Sequence, residues 1–523
     1  MKKSIFSLLF FSACWVFAQT DPRGDLRVFD QELPQDHERE FQFIAYWYSQ
    51  AVSGNYYPTN DFLKGQVFGR LFGQNTTTTS DTSTSYYVEQ RLLPFFIYQP
   101  KLFNGKAILR ASFEIDFTWG DAAYGTGGNF GGGVSADQVN LQTQNVELEL
   151  RPWRNWSVNL GLQRMFDSPY NPYRTLFGTL TNTGYRLMFW GTDATGVTIR
   201  YNGDYQRWKW GAWKFYENQI QQRDDVSMYE VMYDRDISKH WSFGASVNYV
   251  RDRANGEGGP SILGQGLNST LSNYNGSFRF PLGGAQYRAD VLWVGSFFTR
   301  NPDYVSDRFR ATGFVNYNLG SVDTLSDNGE DYFQRASIGG YTVNTKLGYR
   351  YGLTAGDVIE ADFIYTSGDP NGINDNRFSG VLTGNNWGSP VSVWISHGAY
   401  ILFPHGNVVN RFVSAVNDVS NLGYGLMGGT LNAHKDIIPD KLNFKVGGAW
   451  AMSNVSPTNG GNQLGTELNA RISWSPFVYM NFELHAAHLW LGDFYDAQVV
   501  NGGVNDRPTN PWTVFLAYKW LMF

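Results

Sequence analysis

From about Gly65 onward, apolar and polar residues alternate along most of the chain. Ala107, Leu109, Ala111, Phe113, Ile115, Phe117 and Trp119 interleave with Ile108, Arg110, Ser112, Glu114, Asp116 and Thr118. Tyr287, Ala289, Val291, Trp293 and Phe297 interleave with Arg288, Asp290 and Ser296, and Ile359, Ala361, Phe363 and Tyr365 with Glu360 and Asp362. Leu464, Leu468, Ala470, Ile472 and Trp474 alternate with Gly465, Glu467, Asn469, Arg471 and Ser473. In the final segment Trp512, Val514, Leu516, Tyr518 and Trp520 share one face; Thr513, Ala517 and Lys519 share the other, with Phe515 as an exception and Phe523 in register with Lys519. A period of two sustained this long specifies half-exposed strands rather than helices.

Connections between these segments alternate in length. Pro100–Gly105, Pro152–Asn155, Asp236–His240 and Ser475-Pro476 read as short turns, whereas Asp121–Ser135, Asp167–Asp193, Arg253–Thr270 and Ser367–Asn421 read as long Gly-, Asn- and Asp-rich loops. Short turns at one end and long loops at the other are the layout of an up-and-down β-barrel in a bacterial outer membrane, with the long loops extracellular. At about 25 residues per strand and its connection, the segment from Gly65 to Phe523 holds roughly 18 strands, within a range of about 16 to 20. In such a barrel a one-residue slip of Leu464–Trp474 turns Glu467 and Arg471 to lipid, at roughly 2–4 kcal/mol for the Arg near the midplane and less for the Glu, so each strand fixes its own face.

The N-terminus reads differently. Lys2 and Lys3, the apolar stretch from Ile5, and Val16-Phe17-Ala18 before Gln19 form a secretory signal over residues 1–18. Phe11-Ser12-Ala13-Cys14 loosely resembles a lipoprotein box, but the apolar run continues past the cysteine, which favours cleavage at Ala18. Residues 19–64 are expected to form a periplasmic or plug segment. Phe41, Ile44, Ala45, Tyr48, Ala51 and Val52 follow helical spacing behind Asp36 as N-cap. Phe41, Phe43, Ala45 and Trp47 also alternate as a first strand would, and the helix is the favoured reading of the two.

Composition supports the barrel. Hydrophobic residues are 42% and aromatics 17%, with a mean hydropathy of -0.36; only alternate residues of a barrel strand meet lipid, and aromatic girdles mark both interfaces. No later stretch has the ~18 uninterrupted apolar residues of a transmembrane helix. The 57 glycines suit tight turns and close strand packing. Cys14, the one cysteine, lies in the signal, so the mature chain has no disulfide or thiolate metal site. A net charge of -6 points to no nucleic-acid partner.

Candidate chemistry lies in the predicted lumen. Enzyme signatures (G-x-S-x-G, a Walker loop, H-E-x-x-H) are missing, and no cofactor or metal is expected. Glu483 and His485 fall on one strand face and His488 on the other, which splits the histidines. Asp369–Asn376 is oxygen-rich like a calcium loop but lacks the terminal Glu, and reads as a turn-rich external loop. Alternation places Arg110, Glu114, Asp116, Arg288, Asp290, Arg308, Arg310, Arg350, Glu360, Asp362 and Arg471 inside. The bland reading is a ladder of cross-strand ion pairs stiffening the wall. The functional reading is a polar conduit with a basic track (Arg288, Arg308, Arg310, Arg350, Arg471) and an acidic one (Glu114, Asp116, Glu360, Asp362). Tyr170, Tyr173, Arg174, Arg186 and Trp190, in the 167–193 loop, suit either a constriction folded into the pore or a surface for carboxylate-bearing sugars.

The strand Leu160-Gly161-Leu162-Gln163-Arg164 running into a long loop, and the strand end Tyr365-Thr366-Ser367-Gly368-Asp369, resemble motifs of alginate-export barrels and of the specific porins related to them. Gln163-Arg164 inverts part of that family's order. The resemblance implies passage of an anionic polysaccharide through an Arg-lined channel. The expectation is therefore a passive outer-membrane channel for a hydrophilic solute or polysaccharide. The alternative is a structural or adhesive barrel that binds a partner through its outer loops.

Overall fold

The structure, a computed structural model, describes residues 39–58, 68–73, 77–119, 140–164, 193–217, 220, 224–255, 276–302, 304, 306–383, 398–404, 412–503 and 506–522. The signal peptide, residues 19–38, most of the 167–193 loop and Phe523 lie outside these residues.

Eighteen antiparallel strands close into one barrel. They are Phe41–Gly54 (β1), Ser85–Tyr98 (β2), Ala107–Thr118 (β3), Asn140–Leu150 (β4), Trp156–Arg164 (β5), Asp193–Asn202 (β6), Gln206–Tyr216 (β7), Val226–Asp236 (β8) and Trp241–Asp252 (β9). Tyr287–Arg300 (β10), Phe309–Leu325 (β11), Tyr332–Arg350 (β12), Val358–Thr366 (β13), Leu426–Ile438 (β14), Leu442–Met452 (β15), Gln463–Phe477 (β16), Met480–Leu491 (β17) and Trp512–Met522 (β18) complete it. Each strand pairs with its neighbour in sequence, and β1 pairs with β18 from Ala45↔Met522 to Gly54↔Thr513, which leaves no open edge in the wall. The two-residue strand Arg377–Phe378 adds in parallel to β12. The connections after even-numbered strands are short and those after odd-numbered strands mostly long. The short-turn end, where both termini of the wall also lie, is therefore periplasmic.

The wall begins at Phe41, ahead of the barrel start expected at residue 65 and inside the expected plug segment. Residues 41–54 are the first wall strand, not a helix or plug. The segment satisfies both periods, but only as a strand can it satisfy the backbone edges of β2 and β18, and in a bilayer an unsatisfied edge costs several kcal/mol per group.

Face assignment follows the alternation. On β16, Leu468, Ile472 and Trp474 are 56%, 45% and 50% exposed toward lipid, while Glu467 is fully buried on the inner face. On β18, Leu516 and Trp520 point outward. Lys519 faces inward and its Nζ lies 2.8 Å from Glu483 Oε2. Stacked aromatics (Trp156, Trp208 and Trp210; Trp241 and Phe243) lie near the periplasmic end of the outer face, as an interfacial girdle requires. Closed and apolar outside, the wall places the protein in the bacterial outer membrane.

Candidate functional site

The inner face divides into two kinds of wall. From β2 to β8 it is a buried polar network. Arg110 of β3 sits opposite β4, whose Glu147 and Glu149 both pair with its guanidinium; Arg151 holds the second carboxylate oxygen of Glu149 at 2.7 Å. Asn159 of β5 donates to Glu147 and accepts from Arg200 of β6. Arg207 bridges Asp234 and Asp236, and Lys209 lies 2.7 Å from Glu230. Arg91 on β2 makes a bidentate pair with Asp116 at 2.8 Å and also engages Glu114. Placing opposite charges on neighbouring strands at one level lets each desolvated group find a counter-charge, without which burial is prohibitive. This wall is a ladder of cross-strand ion pairs, and Arg110, Glu114 and Asp116 take part in it.

The wall from β11 to β17 is looser at its periplasmic end. A cavity of about 450 Å³ is lined there by Tyr304, Arg310, Glu360, His434, Asn443 and Arg471, among others. Arg310 pairs with Glu360, whose second oxygen lies 3.5 Å from His434 Nε2. Arg471 touches Asn443 at 3.3 Å and stands 3.8 Å from Glu483. Arg310 and Arg350 lie over the ring of Tyr304, at 5.1 and 4.6 Å; burial pushes that phenol up despite the two arginines, so it stays neutral. Lys346 pairs with Asp362 at 3.0 Å. Arg310, Arg350, Arg471, Glu360 and Asp362 thus share this side of the lumen.

The extracellular half of the lumen holds a folded-in segment of the 367–425 connection. Ala399, Tyr400, Ile401, Leu402 and Phe403 are all buried, in one apolar cluster with wall residues Trp293, Leu489 and Phe515. Trp293 Nε1 donates to Leu382 O at 3.0 Å. The carboxylate of Glu467 accepts the backbone N–H groups of Tyr400, Ile401 and Leu402 at 2.8, 2.8 and 2.7 Å. Lys445 Nζ donates to Gly398 O and Tyr400 Oη, each at 3.1 Å, and to Asn469 Oδ1 at 2.7 Å. This anchor joins residues far apart in sequence and has no local signature.

Three expected lumen residues lie elsewhere. Arg288 and Asp290 are on the outer face of β10, paired with Asp323 and Arg253 at 3.2 and 2.7 Å. They sit at the extracellular end of the strand, in the zone where water rather than lipid bathes the outer face, while Tyr287, Ala289, Val291 and Trp293 turn inward to meet the inserted segment. Arg308 is in the exposed turn before β11 and donates to Tyr351 O at 3.4 Å, because alternation does not extend past a strand end. The constriction candidates Tyr170, Tyr173, Arg174, Arg186 and Trp190 fall outside the described residues. His485 is buried on the inner face of β17, 2.9 Å from Glu483, and His488 is outside against Trp490. In the oxygen-rich loop Asp369 spends its carboxylate on turn hydrogen bonds from Asn371 N and from Ser379 N and Oγ, each at 2.8 Å.

No protein-family model matches the chain, and no curated protein matches it in sequence. Among solved structures it is similar to OccAB1 of Acinetobacter baumannii (10% identity over 93% of this chain and 97% of that one, TM-score 0.48). It is also similar to OpdK of Pseudomonas aeruginosa in a structure with vanillate (9%, 92% and 98%, TM-score 0.46). A third is OccK2 (OpdF) of the same organism in complex with glucuronate (9%, 92% and 97%, TM-score 0.44).

Proposed function

We propose that this chain is a passive outer-membrane channel for small hydrophilic solutes, with a lumen biased toward anions, and that it is not an enzyme. The observation that carries this reading is the asymmetric lumen. One wall is a closely packed ion-paired ladder, while the opposite wall, though Arg310 there also pairs with Glu360, opens a cavity of about 450 Å³ at the periplasmic end lined by Arg310 and Arg471 together with Glu360, Asp436 and Asp440. Eighteen strands make a barrel too wide for wall side chains to fill, and the inserted 398–403 segment supplies the narrowing. Arg310, Arg350 and Arg471 form the basic track, with Glu360 and Asp362 beside them. A polysaccharide cargo and an alginate-export role find no support in a lumen partly filled by packed apolar residues.

Planar-bilayer recording tests the proposal. Purified barrel is expected to give discrete conductance steps and a reversal potential, under a salt gradient, displaced toward that of the anion. A folded, inserted barrel without conductance would sink the channel reading. The buried apolar cluster inside the lumen favours, as a second reading, a closed barrel that works through its outer loops, and the same recording decides between them.

A further inference from the structure

Arg70 stands apart from the other inward cations. It ends the short strand Phe68–Arg70, which pairs in parallel with Phe412–Ser414 of the folded-in connection. Leu71 and Phe72 just after it are buried in the same apolar cluster as Trp213, Val250 and Trp293 of the wall, so Arg70 lies inside the extracellular half of the barrel. Two glycines in left-handed conformations make room for its side chain. A Cβ on Gly73 (φ 108°) would collide with Nη2, and one on Gly276 (φ 75°) would sit 2.9 Å from Cδ. Loops from three different connections therefore converge on one guanidinium.

No ion pair or hydrogen bond of the Arg70 side chain occurs among the described residues, and its Nε is buried without a partner. The groups that bear on it electrostatically are the hydroxyls of Tyr424 and Tyr495. Tyr495 is 3% exposed, and its hydroxyl also lacks a hydrogen-bond partner. Desolvation without a counter-charge lowers the Arg70 guanidinium to about 10, still protonated at neutral pH. A half-buried cation whose Nε is sealed off without a partner, beside a buried hydroxyl also left unsatisfied, is costly, and both needs are met by one kind of guest: an oxyanion, which accepts a forked pair of N–H donors and an O–H. The rim is aromatic, with Phe72 5.1 Å from Tyr495 and Phe494 5.7 Å from Tyr424.

We propose that Arg70, with the hydroxyls of Tyr495 and Tyr424, is an oxyanion-binding subsite on the extracellular side of the lumen, upstream of the Arg310–Arg471 track. This rests on the channel reading for its role, but binding itself does not require conduction. The rim predicts that a carboxylate on an apolar body binds better than inorganic phosphate.

The test uses the full-length barrel, with benzoate and inorganic phosphate titrated by calorimetry and, in parallel, as blockers added to the extracellular side in bilayers. Heat-modifiable gel mobility checks the fold of each variant. Benzoate is expected to bind wild type, Arg70→Gln to lower its affinity at least tenfold, Tyr495→Phe to lower it several-fold, and Arg70→Lys to retain part of it. Benzoate binding and block equal in Arg70→Gln and wild type would overturn the subsite while leaving the channel intact. No benzoate binding to a folded wild-type barrel would overturn it too. Binding that depends on Arg70 in a barrel without conductance would uphold the subsite and overturn the channel. Phosphate bound as tightly as benzoate would overturn the role given to the aromatic rim.

Discussion

Replacing Glu467 by Gln should loosen the segment that narrows the lumen. In the wild type Oε1 accepts from Tyr400 N and Asn469 Nδ2, and Oε2 accepts from Ile401 N and Leu402 N. Gln can present an oxygen at only one of these positions and an NH2 at the other, where two donors already point. At least two hydrogen bonds to a charged acceptor are lost or reversed, each worth about 1.5–3 kcal/mol, which gives about 3–6 kcal/mol. The apolar contacts of Ile401, Leu402 and Phe403 and the Lys445 bonds remain, so the barrel itself should stay folded. Taking the lower bound, the population with the segment released rises roughly 100-fold, since each 1.4 kcal/mol is a factor of ten. Single-channel recording should show this as more frequent openings to a larger level, and hydrogen exchange at residues 398–403 should accelerate by a similar factor. Dwell times and exchange rates that match the wild type would refute the anchoring role of Glu467.

Three further outcomes are expected. Arg110→Met removes the guanidinium that pairs with both buried carboxylates, Glu147 and Glu149, and should cost about 3–5 kcal/mol, read as a lower transition temperature in heat-modifiable gel mobility; an unchanged temperature would contradict the ladder's structural role. Leu516→Arg should cost about 2–4 kcal/mol in lipid-bilayer refolding if it lies near the midplane, and Lys519→Arg much less; equal costs would invert the face assignment of β18. Arg310→Glu combined with Arg471→Glu should move the reversal potential toward the cation, whereas Arg288→Glu and Arg308→Glu should not, and a shift from the latter pair would restore the assignment corrected above.

Much of the wall was legible because alternation is a local property. Lys519 and Leu516 could be placed on opposite faces from their neighbours alone, and chain length at about 25 residues per strand and connection yielded the strand number. Alternation gives parity, however, and the sign comes from what each face touches. On β10 the inward residues Tyr287 to Trp293 meet an apolar segment of the chain rather than water, and Arg288 and Asp290 stand outside the lipid zone, so the usual assignment reverses. Phe41 to Val52 fitted two periods, and only closure of the ring chose between them. The contact of Glu467 with Tyr400 and the cradle around Arg70 join distant stretches through backbone N–H groups and glycine gaps, which leave no periodic trace.

Pairing of β1 with β18 has a consequence for how the protein is made. The two strands that seal the ring are the first and last of the wall, so the seam cannot form until nearly the whole chain has been delivered, and its contacts span the largest sequence separation available. Such contacts form late because their loop-closure cost is met last. Until then both strands are bare edges, able to recruit any extended chain. Assembly must therefore shelter those two edges together, and a chain lacking β18 would be left not as a smaller pore but as an adhesive sheet.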